Sequence, residues 1–136
     1  MEDTNETPAV TAPATEPIRL LSRSEILTKT ELARELVHVP AWGGSIYLRA
    51  LRADERDEYE QSLMVRRGKT VEMRMRGARA KLVVACAVDS QGVNIFTPDD
   101  VESVGSLDAA TLDRLFEIAS RLSGLREEDV QELTGN

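Results

Sequence analysis

Leu36-Val37-His38-Val39, Pro40-Ala41-Trp42-Gly43-Gly44 and Ser45-Ile46-Tyr47-Leu48-Arg49-Ala50 follow one another without a break, and their reading decides the fold. In the last run Ile46, Leu48 and Ala50 alternate with Tyr47 and Arg49, the period of a half-buried strand. The first run is short, apolar and β-branched at Val37 and Val39. Pro40 ends it, and Gly43 and Gly44 are expected to supply positive φ in a five-residue hairpin loop. A lone hairpin is marginal in water, so this one must lie on helices.

Downstream the pattern turns helical after Leu51. Asp54 and Glu55 load a first turn with negative charge, which suits a helix N-terminus. Arg56, Tyr59 and Leu63 share a face, and the helix is expected to stop near Arg67-Gly68-Lys69. A second helix is expected over 71–88, because Met75, Ala78, Leu82, Ala85 and Cys86 make an apolar stripe. Val93 to Phe96 reads as a short extended piece. Thr97 is an N-cap with Pro98 at the first helical position, opening a short helix that ends at Gly105. Leu112, Leu115, Phe116, Ala119 and Leu122 stripe a third main helix over 108–123, with Gly124 placed for its C-terminal cap. Upstream, Ser22 and Glu25 form a capping box. A last helix is expected over 127–133, pinned by Leu125 and Val130. The sum is α+β: an N-terminal β-hairpin packed on a mostly α-helical body of about four to five helices.

A chain of 136 residues fits one domain. Residues 1–17 hold three prolines, four acids and one large apolar side chain, so a disordered acidic leader is expected there, followed by a single domain over 18–134. Charge is uneven. Residues 49–81 carry +4 and residues 89–136 carry −8, within a total of −7. That total argues against a general nucleic-acid binder, which needs a basic footprint. The start reads as no signal peptide, and no apolar run approaches the ~20 residues of a membrane helix, so a cytoplasmic, membrane-free protein is expected.

Chemistry-bearing patterns are few. Gly68-Lys69-Thr70 resembles the end of a phosphate-binding loop, but the motif needs a glycine where Leu63 stands. Cys86 lies on an apolar stripe and reads as core. His38 has no second histidine to share a metal with. The acid pairs Asp57-Glu58 and Asp99-Asp100 sit where capping and solvation explain them. No catalytic residue, cofactor or metal site is expected. The densest basic segment holds Arg66, Arg67, Lys69, Arg74, Arg76, Arg79 and Lys81. No aromatic interrupts 60–95, so base stacking has no platform. A protein partner fits better. Methionines adapt to irregular surfaces, so Met64, Val65, Arg66, Arg67, Val71, Met73 and Met75 are candidate partner-binding residues, with core packing as the other reading of the apolar ones. Trp42 and Tyr47 join them from the first hairpin. Trp42 either marks a contact or folds back over the core.

The chain resembles the tail assembly chaperones of long-tailed bacteriophages and prophages over about residues 20–134. The resemblance rests on Leu-Ser-Arg-Ser-Glu-Ile-Leu at 21–27, Val-x-Val-Pro-x-Trp-Gly-Gly at 37–44, Leu-Arg-Ala-Asp-Glu-Arg-Asp-x-Tyr-Glu at 51–60 and Arg-Ala-Lys-Leu-Val at 79–83. It continues through Phe-Thr-Pro-Asp-Asp-Val at 96–101, Leu-Asp-Arg-Leu-Phe-Glu-Ile-Ala at 112–119 and Leu-Ser-Gly-Leu-x-Glu-Glu-Asp-Val at 122–130. Two positions depart from the pattern: Arg52 and Arg126 stand where a Thr or Ser often caps a helix. The resemblance implies a non-enzymatic factor that binds the tape measure protein, keeps it soluble while the tail tube polymerises around it, and is absent from the mature virion. It further implies a longer frameshifted form that reaches the tail tube protein; self-association into a homo-oligomer is open. Other readings are a connector or tail-completion subunit, or a small RNA-contacting regulatory module.

Overall fold

The structure is a computed structural model, and it describes residues 17–125. The chain divides into two compact units, Met1–Glu31 and Leu32–Asn136. The expected leader, apart from Pro17, and the helix expected over 127–133 lie outside the described residues.

In the first unit a short helix, α1, spans Arg23–Leu27. Its start is the expected capping box. The Glu25 amide donates to Ser22 Oγ at 3.2 Å, and the Ser22 amide donates to the Glu25 carboxylate at 2.9 Å. Those bonds and the Arg19 guanidinium hold the Glu25 carboxyl below its ordinary range.

The second unit opens with β1 (Arg34–Val39) and β2 (Gly44–Arg49), paired antiparallel from Arg34 opposite Arg49 to Val39 opposite Gly44. The connection is tighter than a five-residue loop. Pro40–Trp42 form one 3-10 turn, and Gly43 alone takes positive φ, at 74°. Gly44 is already in the strand, so only one of the two glycines is needed for conformational freedom. Val37, Val39 and Leu48 point inward and are buried. A third strand, β5 (Ala87–Val88), pairs with β2 through Tyr47–Val88 and Leu48–Ala87, which gives a sheet of order β1-β2-β5.

α2 spans Ala53–Ser62 and α3 spans Ala78–Cys86. Both are shorter than the apolar spacing implied. Between them lies a second hairpin, β3 (Met64–Arg67) and β4 (Thr70–Met73), where helix was expected on both sides of Gly68. Two causes are visible. Val65, Thr70 and Val71 are β-branched and flank a two-residue Gly-Lys turn, which is hairpin chemistry. Gly77 holds φ at 81°, a left-handed position that cannot lie inside a right-handed helix, so α3 begins only at Ala78. At its other end α3 gives way to β5 at Ala87, and so falls short of residue 88.

Arg52, the departure at the α2 cap, has no side-chain acceptor to offer. The helix is capped from the other direction instead: the Arg52 amide donates to the Glu55 carboxylate at 2.9 Å, and the Arg52 guanidinium pairs with Asp54 at 3.0 Å. After Asn94, which bridges Val88, the Asp100 carboxylate accepts from the Thr97 amide at 2.9 Å. A 3-10 turn (Pro98–Asp100) then runs into α4 (Val101–Gly105). α5 spans Ala109–Leu122, capped by the Asp108 carboxylate accepting from the Thr111 amide at 3.0 Å. Gly124, with φ 74°, lets the chain turn back so that the Leu125 amide reaches the Ser120 carbonyl.

α3 is the centre of the body. Ala78, Ala80, Leu82, Val83, Val84 and Cys86 are all buried, because α5, α4 and β2 pack around it. A helix apolar on most sides belongs in such a position. α5 is amphipathic and buries Leu112, Leu115, Phe116 and Ala119 against it. The α+β expectation holds, with five helices in the described residues and a second small sheet in addition.

Candidate partner-binding surface

Six of the candidate residues fall on the second hairpin. Its base is anchored. Leu63, fully buried, ends α2 directly before β3, and the Arg74 amide returns a bond to the Leu63 carbonyl. From there the strands run out to a turn at Gly68 and Lys69, with Gly68 at φ 63°. The register places Met64 opposite Met73 and Arg66 opposite Val71, so these four share one face. Val65, Glu72, Arg67 and Thr70 share the other, where Arg67 and Glu72 pair at 3.1 Å. Both partners of that pair are more than half exposed, so it contributes at most about 1 kcal/mol.

No residue of β3 or β4 is fully buried. Met64 and Val71 are exposed at 49% and 56%, while Met73 and Met75 are half-buried against the core. Met64 and Met73 lie opposite one another yet differ: Met73 packs inward with Met75, whereas Met64 and Val71 face solvent. Among the described residues each strand also has one edge with no strand beside it. Apolar side chains, basic neighbours and open strand edges are the features by which an exposed strand pair can contact a polypeptide.

Trp42 and Tyr47 lie elsewhere, on the three-stranded sheet. Trp42 is half-buried and packs against the core, which is the fold-back reading. Tyr47 sits on the outer face opposite Leu36, and the Arg34 guanidinium stacks over its ring at 4.3 Å. Arg34 also donates to the Ser90 carbonyl at 3.0 Å. Leu36 is 59% exposed on that face and was not among the candidates.

The remaining chemistry is structural. Gly68-Lys69-Thr70 is a hairpin turn followed by a strand, whereas a phosphate-binding loop is followed by a helix. Cys86 is buried, 4.0 Å from the Ser123 hydroxyl, and burial pushes its thiol up to about 12. Burial likewise raises the Tyr59 hydroxyl, which donates to the Ala78 carbonyl at 3.0 Å. Among the described residues no group of three His, Cys, Asp or Glu is placed to hold a metal, and no helix is long and apolar enough to cross a membrane.

Sequence reasoning missed one concave feature. The face of α2 formed by Glu55, Glu58, Tyr59 and Ser62 meets the face of α3 formed by Lys81, Val84 and Ala85. Phe96, Pro98 and Val101 close the third side of an open groove of about 540 Å³. The helical spacing of each wall was visible in the sequence; their convergence was not.

The described residues thus form a small α+β body with an anchored hairpin and an open groove, and comparison with known proteins gives its family. The model of the phage tail assembly chaperone family matches residues 22–135, so the chain belongs to that family. The family is one of non-enzymatic assembly chaperones, and membership places the chain in phage tail assembly. Among solved structures the fold is similar to the tail assembly chaperone of bacteriophage HK97, with a TM-score of 0.52 and 20% identity. That similarity covers 67% of this chain and 85% of that one. No curated protein sequence matches the chain.

Proposed function

We propose that this chaperone binds the tape measure protein of its phage in the host bacterial cytoplasm, keeps it soluble while the tail tube polymerises around it, and leaves before the virion matures. The observation that carries this reading is the β3–β4 hairpin of a family member, held at its base and presenting Met64, Val71, Arg66 and Arg67 to solvent. A long helical client offers many weak apolar sites, and binding it calls for adaptable side chains rather than one shaped pocket. Met73 continues the same face and, with Met75, anchors it to the core, and Tyr47 offers a further contact on the first sheet. A longer frameshifted product would carry the client to the tail tube protein.

Co-expression tests this. The tape measure protein encoded beside this chain should be recovered soluble with it and aggregated without it. Equal soluble yield in both cases would remove the proposal.

A further inference from the structure

We infer that the groove between α2, α3 and the 96–101 segment docks a cationic amphipathic helix of the partner polypeptide. The inference rests on the chaperone reading only for which protein carries that helix.

Shape comes first. Glu55 and Ser62 mark the ends of the α2 wall, seven residues apart, or roughly 10 Å of helix. That length matches two turns of an incoming helix, which reads a groove through anchors at i, i+3 or i+4, and i+7. The floor is apolar, made by Tyr59, Val84, Ala85 and Phe96. A volume of about 540 Å³ accommodates a few such anchors.

Charge selects the occupant. Among the described residues Lys81 is the one cation lining the groove, and its ammonium already donates to the Ser62 carbonyl at 3.1 Å. Glu55 is drawn away by Arg49 at 2.8 Å, but Glu58 stands exposed on one rim. On the third side, the segment 98–102 that supplies Pro98 and Val101 carries three acids and no base, and two of these acids, Asp99 and Glu102, are exposed. A helix with basic residues beside its apolar stripe complements Glu58 and this acidic segment. The chain's own ends do not: residues 1–16 carry four acids and no base, and residues 126–136 carry four acids and one base. Like charge disfavours either as the occupant.

The test uses the full chain and two labelled peptides of about 18 residues, long enough to hold a helix. Both carry the same leucine stripe; one is flanked by lysines and the other by glutamates. By fluorescence anisotropy the lysine peptide should bind about tenfold more tightly or better, with affinity that falls as salt rises. Glu58→Lys reverses one rim at an exposed site, and Ala85→Gln fills the floor without charge. Each should weaken the lysine peptide about tenfold, with the unfolding midpoint of Glu58→Lys unchanged. Equal binding of the two peptides overturns the inference, as does binding that ignores Glu58→Lys. A change of self-association in Glu58→Lys with peptide binding intact also overturns it, by making a second copy the occupant. If the lysine peptide fails to bind while the tape measure protein is still solubilised, the groove inference falls and the chaperone reading stands. If the peptide binds and co-expression has no effect, the reverse holds.

Discussion

The two hairpins of this protein are built from similar strand pairs and end in opposite states. β1–β2 buries Val37, Val39 and Leu48, gains β5 as a third strand, and is tied to α5 through the Arg114 guanidinium donating to the His38 carbonyl at 2.7 Å. β3–β4 buries none of its residues fully, has two strands, and among the described residues is held at its root by Leu63 and by Met73 and Met75. The contrast shows how one small chain separates stability from adaptability. The first hairpin shares the core of the body. The second leaves Met64 and Val71 facing solvent, where a partner could cover them.

The contrast can be broken by substitution. Leu48→Ala in the first hairpin should cost about 2–5 kcal/mol in urea denaturation, because it opens a cavity at a fully buried site. Val71→Ala in the second should stay within about 0.5 kcal/mol. Comparable losses at both positions would mean that the second hairpin is as much a part of the core as the first.

Smaller effects sharpen it. Tyr59→Phe removes the hydroxyl that satisfies the Ala78 carbonyl and should cost roughly 1–2 kcal/mol, read from the same denaturation curves. Arg49, on the first hairpin, holds the Glu55 carboxyl below its ordinary range, and desolvation opposes it. A lowered carboxyl contributes stability that is present above the unfolded value near about 4.3 and is lost as pH falls through the folded one. The loss of stability on acidification should therefore be shallower in Glu55→Gln than in the parent, and an unchanged slope would show that the pair contributes nothing. The smallest effect is chemical. Cys86, with its thiol raised to about 12, should resist a thiol reagent at pH 8 and react fully in denaturant.

The readable part of the fold was the part with one period per element. Ile46, Leu48 and Ala50 alternate cleanly, and Leu112, Leu115, Phe116 and Ala119 stripe a helix that nothing interrupts. The second hairpin is masked in the sequence because Met75, in the connection after β4, continues the α3 apolar spacing backward past Gly77. Gly77 was the signal against it, since a left-handed residue there must precede the helix. The candidate surface was legible as a composition, three methionines among basic residues over 64–76, although the element carrying it was taken for helix. The groove was not legible at all. Its walls come from residues 55–62, 81–85 and 94–101, and no local pattern reports that three such segments converge.

The central claim is that the exposed face of β3–β4 grips the client while the rest of the chain supports it. The direct measurement is the soluble yield of co-expressed tape measure protein with the Met64→Asp, Val71→Asp double variant. The account requires an unfolding midpoint close to that of the parent and a client that returns to the insoluble fraction. A variant that folds and still keeps the client soluble at parental levels would contradict it.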